Sequence, residues 1–355
     1  MEAHEPIVRT RVPLRISFGG GGTDVEPYVS QHGGATLSAT ITRYVHSSVS
    51  PRNGPHIHLE SQDLNQISTF QVQDVPMFDG KLDLIKAVLL RINPDFRQGL
   101  HMRLQSDAPP GSGLGASSAL VVAAILSMAR LLGVYLTSAD TAKLAYQIER
   151  NDLGIMGGYQ DQYAAAYGGF NWTEYTAEGA FVAPLGLSRD VLMELEYNCL
   201  LWYTGETHTS GGILKEQISN YQTQAVDVLA HLQALKDIAV EMRAALQRGR
   251  LDDFGDLLDQ TWQQKKRLAS KISSDYIDTL YTEARKAGAL GGKVLGAGGG
   301  GYLLVYAPEK RRPAILGALS QVGGSNGGPL HFDLSGPVTW TSRRMVARPY
   351  AFRMS

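Results

Sequence analysis

Cysteine is nearly absent from this chain: Cys199 stands alone among 355 residues. An intrachain disulfide and any cysteine-clustered metal site are therefore excluded. Cys199 lies in the apolar stretch YNCLLWY, where packing outweighs reactivity. An excess of one charge is missing too. Thirty-three Lys and Arg against 34 Asp and Glu leave a formal net charge of −1, so no global field draws nucleic acid to the molecule. No uninterrupted apolar run reaches the roughly 20 residues that span a bilayer, and the first ten residues lack the apolar core of a signal peptide. Neither a nucleic-acid nor a membrane partner is expected, and the setting is cytoplasmic. The 43% hydrophobic and 19% charged residues exclude wholesale disorder, and the length suits two lobes better than one core.

Glycine is what the chain has in plenty, gathered in three runs. The middle run is Pro109-Pro110-Gly111-Ser112-Gly113-Leu114-Gly115-Ala116-Ser117-Ser118, and it opens into the apolar helix pattern ALVVAAILSMARLL. Glycines let main-chain N–H groups approach an anion without obstruction by a Cβ. The start of a helix adds unpaired N–H groups and the positive end of its dipole. Together these build a phosphate site, to which Ser117 and Ser118 add hydroxyls. The competing reading, a cluster that only turns the chain, is the weaker one.

The first run, Gly19-Gly20-Gly21-Gly22-Thr23-Asp24, follows the predicted strand IVRTRVPLRISF. Either a closely approaching ligand or a tight bend accounts for it. Asp24 is placed to accept hydrogen bonds from sugar hydroxyls or to cap a helix. Gly296, Gly298 and Gly301 of the third run satisfy GxGxxG. A helical stretch (YIDTLYTEARKAG) precedes that run and a β-rich stretch follows it, contrary to the dinucleotide fingerprint, and no Walker A lysine follows either loop. Rossmann and P-loop folds are rejected. His56 and His58 share one strand face, and with no third ligand nearby they read as a solvated face.

Two carboxylates follow the middle motif. Glu149 lies near the end of the helical AKLAYQIER stretch, which Ser138 is expected to cap, against the preference of the helix dipole. Function or pairing with Arg150 would explain it. Asp161 follows the bend GIMGGYQ and opens another helical run, so capping competes with chemistry. Such a pair, converging on one cavity, suits magnesium at one member and an attacking hydroxyl at the other.

The three glycine runs, in this order along the whole chain, resemble those of the GHMP kinases. Within that superfamily PLRISFGGGGTDVEPY, Gln31-His32-Gly33-Gly34, GGYQDQYAAAYGG and YTGETHTSGGILKEQ are most similar to the heptose 7-phosphate kinases. The resemblance implies an α+β, two-lobed fold with the active site in the cleft between lobes. The N-terminal lobe would span residues 1–190 and the C-terminal lobe residues 191–355, with the last strand returning to the first lobe. It implies ATP and Mg2+ as cofactors and a small sugar phosphate as partner, and it leaves a homodimer open. The implied reaction phosphorylates the C1 hydroxyl of heptose 7-phosphate, toward GDP-heptose; a kinase for an unphosphorylated sugar such as fucose, or a non-catalytic sensor, is the alternative. By the same resemblance Pro110 to Ser118 bind ATP, with Leu114 and Ala116 among them. Ser117 and Glu149 hold the metal, and Asp161 and Arg15 carry the chemistry. Gly20, Gly21, Gly22, Thr23, Asp24, Thr207, Gly298, Gly299 and Gly300 bind substrate.

The chain departs from the pattern at Ala116, where many members carry serine, and at His208, where an arginine is expected. Gly20-Gly21 replaces the Glu-His of galactokinase, which implies room for a larger, phosphorylated sugar. The segment ISNYQTQAVDVLAHLQALKDIAVEMRAALQRGR has helical spacing up to a break at Gly249-Arg250. The closing VTWTSRRMVARPYAF reads as a strand and a solvated basic tail containing Arg343, Arg344 and Arg348.

Overall fold

Alternation of buried and exposed residues builds the first strand, β1 (Pro6–Gly19), and its inner half turns fully buried as it enters the middle of a sheet. The computed structural model describes residues 6–92, 98–207, 210–223 and 227–343. The rest of the first sheet consists of β2 (Gly34–Arg52), β3 (His56–Ser61), β4 (Gln66–Gln71), β5 (Gly99–Ser106), β6 (Phe170–Thr176) and β7 (Gly179–Pro184). A smaller sheet holds β8 (Cys199–Tyr203), β9 (Gly291–Val294), β10 (Tyr302–Tyr306) and β11 (Ser325–Asn326), in the order β11-β8-β10-β9. The last described strand, β12 (Val338–Arg343), pairs antiparallel with β1, and the large sheet runs β12-β1-β2-β5-β3-β4, with β6 on β2 and β7 on β6. Arg344 and Arg348 lie outside the described residues.

β2 and β3, joined by the turn at Asn53-Gly54, are not neighbours. β5 lies between them, antiparallel to β2 and parallel to β3. The ladder between β1 and β2 shifts register at Pro13/Leu14 and again at Ser17/Gly19, the first where proline has no N–H to give to a ladder.

The helix Ala116–Leu132 lies against this sheet. Val121, Val122 and Ile125 are fully buried in it, and each such side chain contributes about 1.5–3 kcal/mol on leaving water. The apolar cluster that holds them also takes in Leu195, Met242, Leu258 and Tyr306 from the second half of the chain, so the two halves share one packed interior. A second cluster surrounds the small sheet, including Trp262, Ile277 and Leu303. Cys199 is buried in the first, larger cluster, and burial pushes its thiol up to about 12.

Three local expectations change. Thr137, not Ser138, caps the helix Ser138–Gln147: its hydroxyl accepts from the Asp140 N–H while the Asp140 carboxylate accepts from the Thr137 N–H. The long helical segment of the second half is two helices, Ser210–Gln222 and Val228–Gln247, followed after the Gly249-Arg250 break by Leu251–Lys265. The third glycine run is preceded directly by β9 rather than by a helix. β10 follows it, so the helix that a dinucleotide fold needs is still missing.

Candidate active site

A cavity of about 600 Å3 opens where the middle glycine run meets β1, the Gly19–Asp24 loop and the third run. Gly111, Gly113 and Gly115 have φ of 73°, 79° and 72°, the left-handed region that glycine alone enters freely. Gly115 is the N-cap of the helix Ala116–Leu132, so that helix points its unpaired first-turn N–H groups at the cavity. Pro110, Gly111, Ser112, Gly113, Gly115, Ala116, Ser117 and Ser118 all line it. Leu114 does not: its side chain is fully buried in the core, and its carbonyl accepts from the Arg15 N–H at 3.0 Å.

Arg15, 3% exposed on β1, forks onto Asp161, with Nε and Nη2 at 2.8 and 2.7 Å from Oδ1, and also donates to the Gly113 carbonyl. Asp161 sits in the first turn of the helix Gln160–Tyr167 with its carboxylate 28% exposed to the cavity. Asp24 is buried beside it, accepting from the Gly22 N–H at 3.0 Å and the Gln160 N–H at 3.1 Å. Burial raises its pKa, with Asp161 adding repulsion against those two backbone bonds. Gly158 must be glycine, because a Cβ there would overlap the Asp24 carboxylate.

Glu149, 2% exposed, leaves the helix Ser138–Gln147 in the wider turn Ile148–Asp152. Its Oε2 meets Arg150 at 3.2 Å, whereas Oε1 is buried without a partner. Burial raises this carboxyl's pKa, opposed by Arg150 and by the side chains of Ser118 and Gln162. Ser118 is thus the serine that acts on Glu149, while Ser117 is exposed at the cavity rim. Successive residues of a helix point about 100° apart, so the two serines cannot face one carboxylate equally. An orphaned, buried carboxylate oxygen beside a phosphate-binding helix start fits a hard divalent cation.

Several substrate-side expectations need correction. Gly21, Gly22, Asp24 and Thr207 line the cavity; Gly20 and Thr23 do not. A Cβ on Gly20 would strike the Ala35 carbonyl, so this glycine makes room for backbone, not for a larger sugar. The Thr23 hydroxyl is spent within the loop, donating toward the Gly20 and Ala35 carbonyls at 2.7 and 3.0 Å and accepting from the Ala35 N–H at 3.1 Å. Gly298, Gly299 and Gly300 face away. Gly298 packs on Ile272 and Gly300 on Glu206, and the Gly299 N–H donates to the Ile272 carbonyl at 2.8 Å. Gly296 and Ala297 take their place on the cavity wall. His208 and Thr209 lie outside the described residues.

Lys265, Gln160 and Gln217 also line the cavity, and sequence reasoning gave none of them a role there; Arg150, expected only as a partner of Glu149, lines it too. Lys265 ends a helix amid polar residues, so nothing local distinguishes it. Away from the cavity, His56 is exposed, but His58 is not merely solvated. The parallel pairing sets it opposite His101, whose Nε2 lies 3.4 Å from Glu60. Arg103 holds that carboxylate at 2.8 Å and Thr69 bonds His58 at 2.9 Å.

Fold and cavity together define an enzyme that moves phosphoryl groups on small molecules. The profile of the GHMP kinases N terminal domain matches residues 83–169, and that of the GHMP kinases C terminal region matches residues 242–325. The chain is 36% identical over 321 residues to a D-glycero-alpha-D-manno-heptose 7-phosphate kinase of Campylobacter jejuni, covering 89% of this chain and 94% of that one. It is 31% identical over 334 residues, 86% of its length, to the L-fucokinase/L-fucose-1-P guanylyltransferase of Bacteroides fragilis, of which it spans 35%. Among solved structures, a D-glycero-D-manno-heptose 1-phosphate kinase of Bacteroides thetaiotaomicron superposes with a TM-score of 0.79 at 32% identity, covering 94% of this chain and 98% of that one. The chain belongs to the GHMP kinase family. No helix among the described residues is long and apolar enough to cross a membrane.

Proposed function

We propose that this kinase transfers the γ-phosphoryl group of ATP to the C1 hydroxyl of D-glycero-D-manno-heptose 7-phosphate, in the cytoplasm, giving the 1,7-bisphosphate. The carrying observation is the convergence of the Arg15–Asp161 pair, Glu149 and the Ala116 helix start on one cavity. The likeness to heptose kinases over nearly the full chain supports the choice of sugar. The reading divides the chain at about residue 190, with β12 joining the first lobe.

In this reading the N–H groups of Gly111 to Gly115 and of the first helical turn cradle the ATP phosphates. Glu149 and Ser117 hold Mg2+, and Ser118 steadies the Glu149 carboxylate. When bound, the metal neutralises phosphate charge. Asp161, oriented by Arg15, accepts the proton of the attacking hydroxyl, and the Arg15 guanidinium faces the charge on the transferring group. Asp24, fixed by two backbone N–H bonds, keeps lone pairs for sugar hydroxyls.

A coupled ADP-release assay with heptose 7-phosphate, unphosphorylated heptose and fucose tests the proposal. Turnover confined to the phosphorylated sugar is the expected result. Preference for fucose would move the protein to the alternative sugar, and ligand binding without turnover on any of the three would mark a sensor.

A further inference from the structure

Three cationic side chains line the cavity among the described residues, and two are committed to carboxylates. Arg15 holds Asp161 at 2.7 Å, and Arg150 meets Glu149 at 3.2 Å while donating to the carbonyls of Gly158 and Ile155. Lys265 differs. It is the last residue of the helix Leu251–Lys265, is 6% exposed, and its Nζ donates to neutral backbone oxygens, those of Val294 at 3.3 Å and of Gly296. Asp24 and Asp161 act on it through space only.

An ammonium has three N–H donors, and two carbonyls leave one of them over. Burying such a charge without a counter-ion is costly. Two carbonyl bonds would also be served by a neutral donor, so the cationic head has no structural purpose of its own. It stands beside Gly296, whose backbone packs on Gly113 of the middle run, and shares the cavity lining with Gly22, Asp24 and Gln217. A cation held rigidly at a cavity wall with its charge unmet is built for an anion that arrives with the substrate.

We propose that Lys265 recognises the phosphate already carried by the acceptor sugar and thereby sets the preference for a phosphorylated over an unphosphorylated acceptor. The inference rests on the heptose-phosphate reading above and assigns the acceptor's phosphate a partner. The Val294 and Gly296 carbonyls fix Nζ in place, and the phosphate takes the remaining N–H.

The charge environment agrees. Burial, then Arg15 on β1, brings the Lys265 ammonium down to about 7, with Asp24 and Asp161 opposing. Lys293 on β9, itself buried and bonded to the carbonyls of Ser17 and Phe18, is held well below the usual lysine range by burial and then by Lys265. A bound phosphate favours the charged form, so its binding above neutral pH draws in a proton.

The test compares wild type, Lys265→Met and Lys265→Arg in the full chain, with heptose 7-phosphate and unphosphorylated heptose assayed on the same preparation. Lys265→Met should lower kcat/KM for the phosphorylated sugar about 10- to 100-fold, the scale of one charge-assisted hydrogen bond, chiefly through KM. The value for unphosphorylated heptose stays near wild type, and Lys265→Arg recovers part of the loss. Any misfolded fraction cancels in the ratio of the two sugars. Equal loss with both sugars, or a rise confined to the KM for ATP, overturns the assignment. Calorimetry with inorganic phosphate, in two buffers of different ionisation heat, reads Lys265 independently of the sugar. Proton uptake present in wild type and absent in Lys265→Met supports the inference even if wild type ignores heptose 7-phosphate, in which case the proposed substrate alone has failed. Equal affinity for inorganic phosphate in wild type and Lys265→Met refutes the inference whichever sugar is turned over.

Discussion

The middle and third glycine runs read alike as sequence but differ in how their main-chain N–H groups are spent. In the middle run Gly113 and Gly115 donate to no acceptor among the described residues, and the helix that follows adds its own unpaired donors. In the third run the Gly299 N–H goes to Ile272 at 2.8 Å and the Gly301 N–H to Glu206 at 2.7 Å. The Gly113 and Gly115 donors are available to an anion; those of Gly299 and Gly301 are already used to fasten the third run to Ile272 and Glu206. Glycine content reports that the backbone takes unusual angles. Only the hydrogen-bond accounting separates a cradle from a fastening.

The runs also lock onto each other. A Cβ on Gly113 would strike the Leu295 carbonyl, one on Gly301 would strike the Ser112 carbonyl, and the Tyr302 N–H donates to Ser112 at 3.0 Å. The fastening therefore positions the cradle. The sharpest way to break the comparison lies at the chemistry it supports. Asp161→Asn keeps the cavity shape and one oxygen for Arg15 but removes the proton acceptor. Turnover should fall at least ~100-fold, with ATP affinity retained in a fluorescence or calorimetric titration. Near-normal turnover would remove Asp161 from the mechanism.

A smaller effect separates the two runs directly. Gly113 and Gly298 both have positive φ, 79° and 112°, and a Cβ on either meets backbone. Alanine at either position should cost about 1–3 kcal/mol through backbone strain, visible as a lower melting temperature. Gly113→Ala should in addition raise the KM for ATP, because the cradle itself is displaced. Gly298→Ala should leave that KM unchanged in the folded fraction, its Cβ pointing toward Ile272 and away from the cavity. A matching rise in both variants would erase the distinction between cradle and fastening.

Much of this site was legible in the sequence, for a physical reason. The middle run, its serines and the helix after it are contiguous, so local chemistry declares them. Arg15, Glu149 and Asp161 became legible through the family pattern, and all three line the cavity. What stayed hidden depends on contacts between distant segments. β5 inserts between β2 and β3 and brings His101 to His58, which no local pattern announces. Lys265 is one of two adjacent lysines, and only the docking of Val294 and Gly296 against its helix end distinguishes it from partly buried Lys266, which pairs with Asp278. Orientation was hidden as well: Gly20 and Thr23 sit in the right loop and point the wrong way.

That last point supports the finest prediction. If Thr23 gripped the sugar, Thr23→Val would raise the KM for the acceptor while leaving the fold intact. Its hydroxyl proton is shared between the Gly20 and Ala35 carbonyls, and its oxygen accepts from the Ala35 N–H at the start of β2. Valine matches threonine in shape, so packing is preserved, but the Ala35 N–H is left buried without an acceptor. Such an orphan costs about 1–3 kcal/mol, and the melting temperature should fall accordingly. Assayed below its transition, the variant should show an acceptor KM close to wild type, with Asp24 next in the chain still held by Gly22 and Gln160. Because Thr23 ties the start of β2 to the loop that carries Asp24, this first run combines both behaviours in six residues: Gly21, Gly22 and Asp24 face the cavity, and Gly20 and Thr23 hold them there.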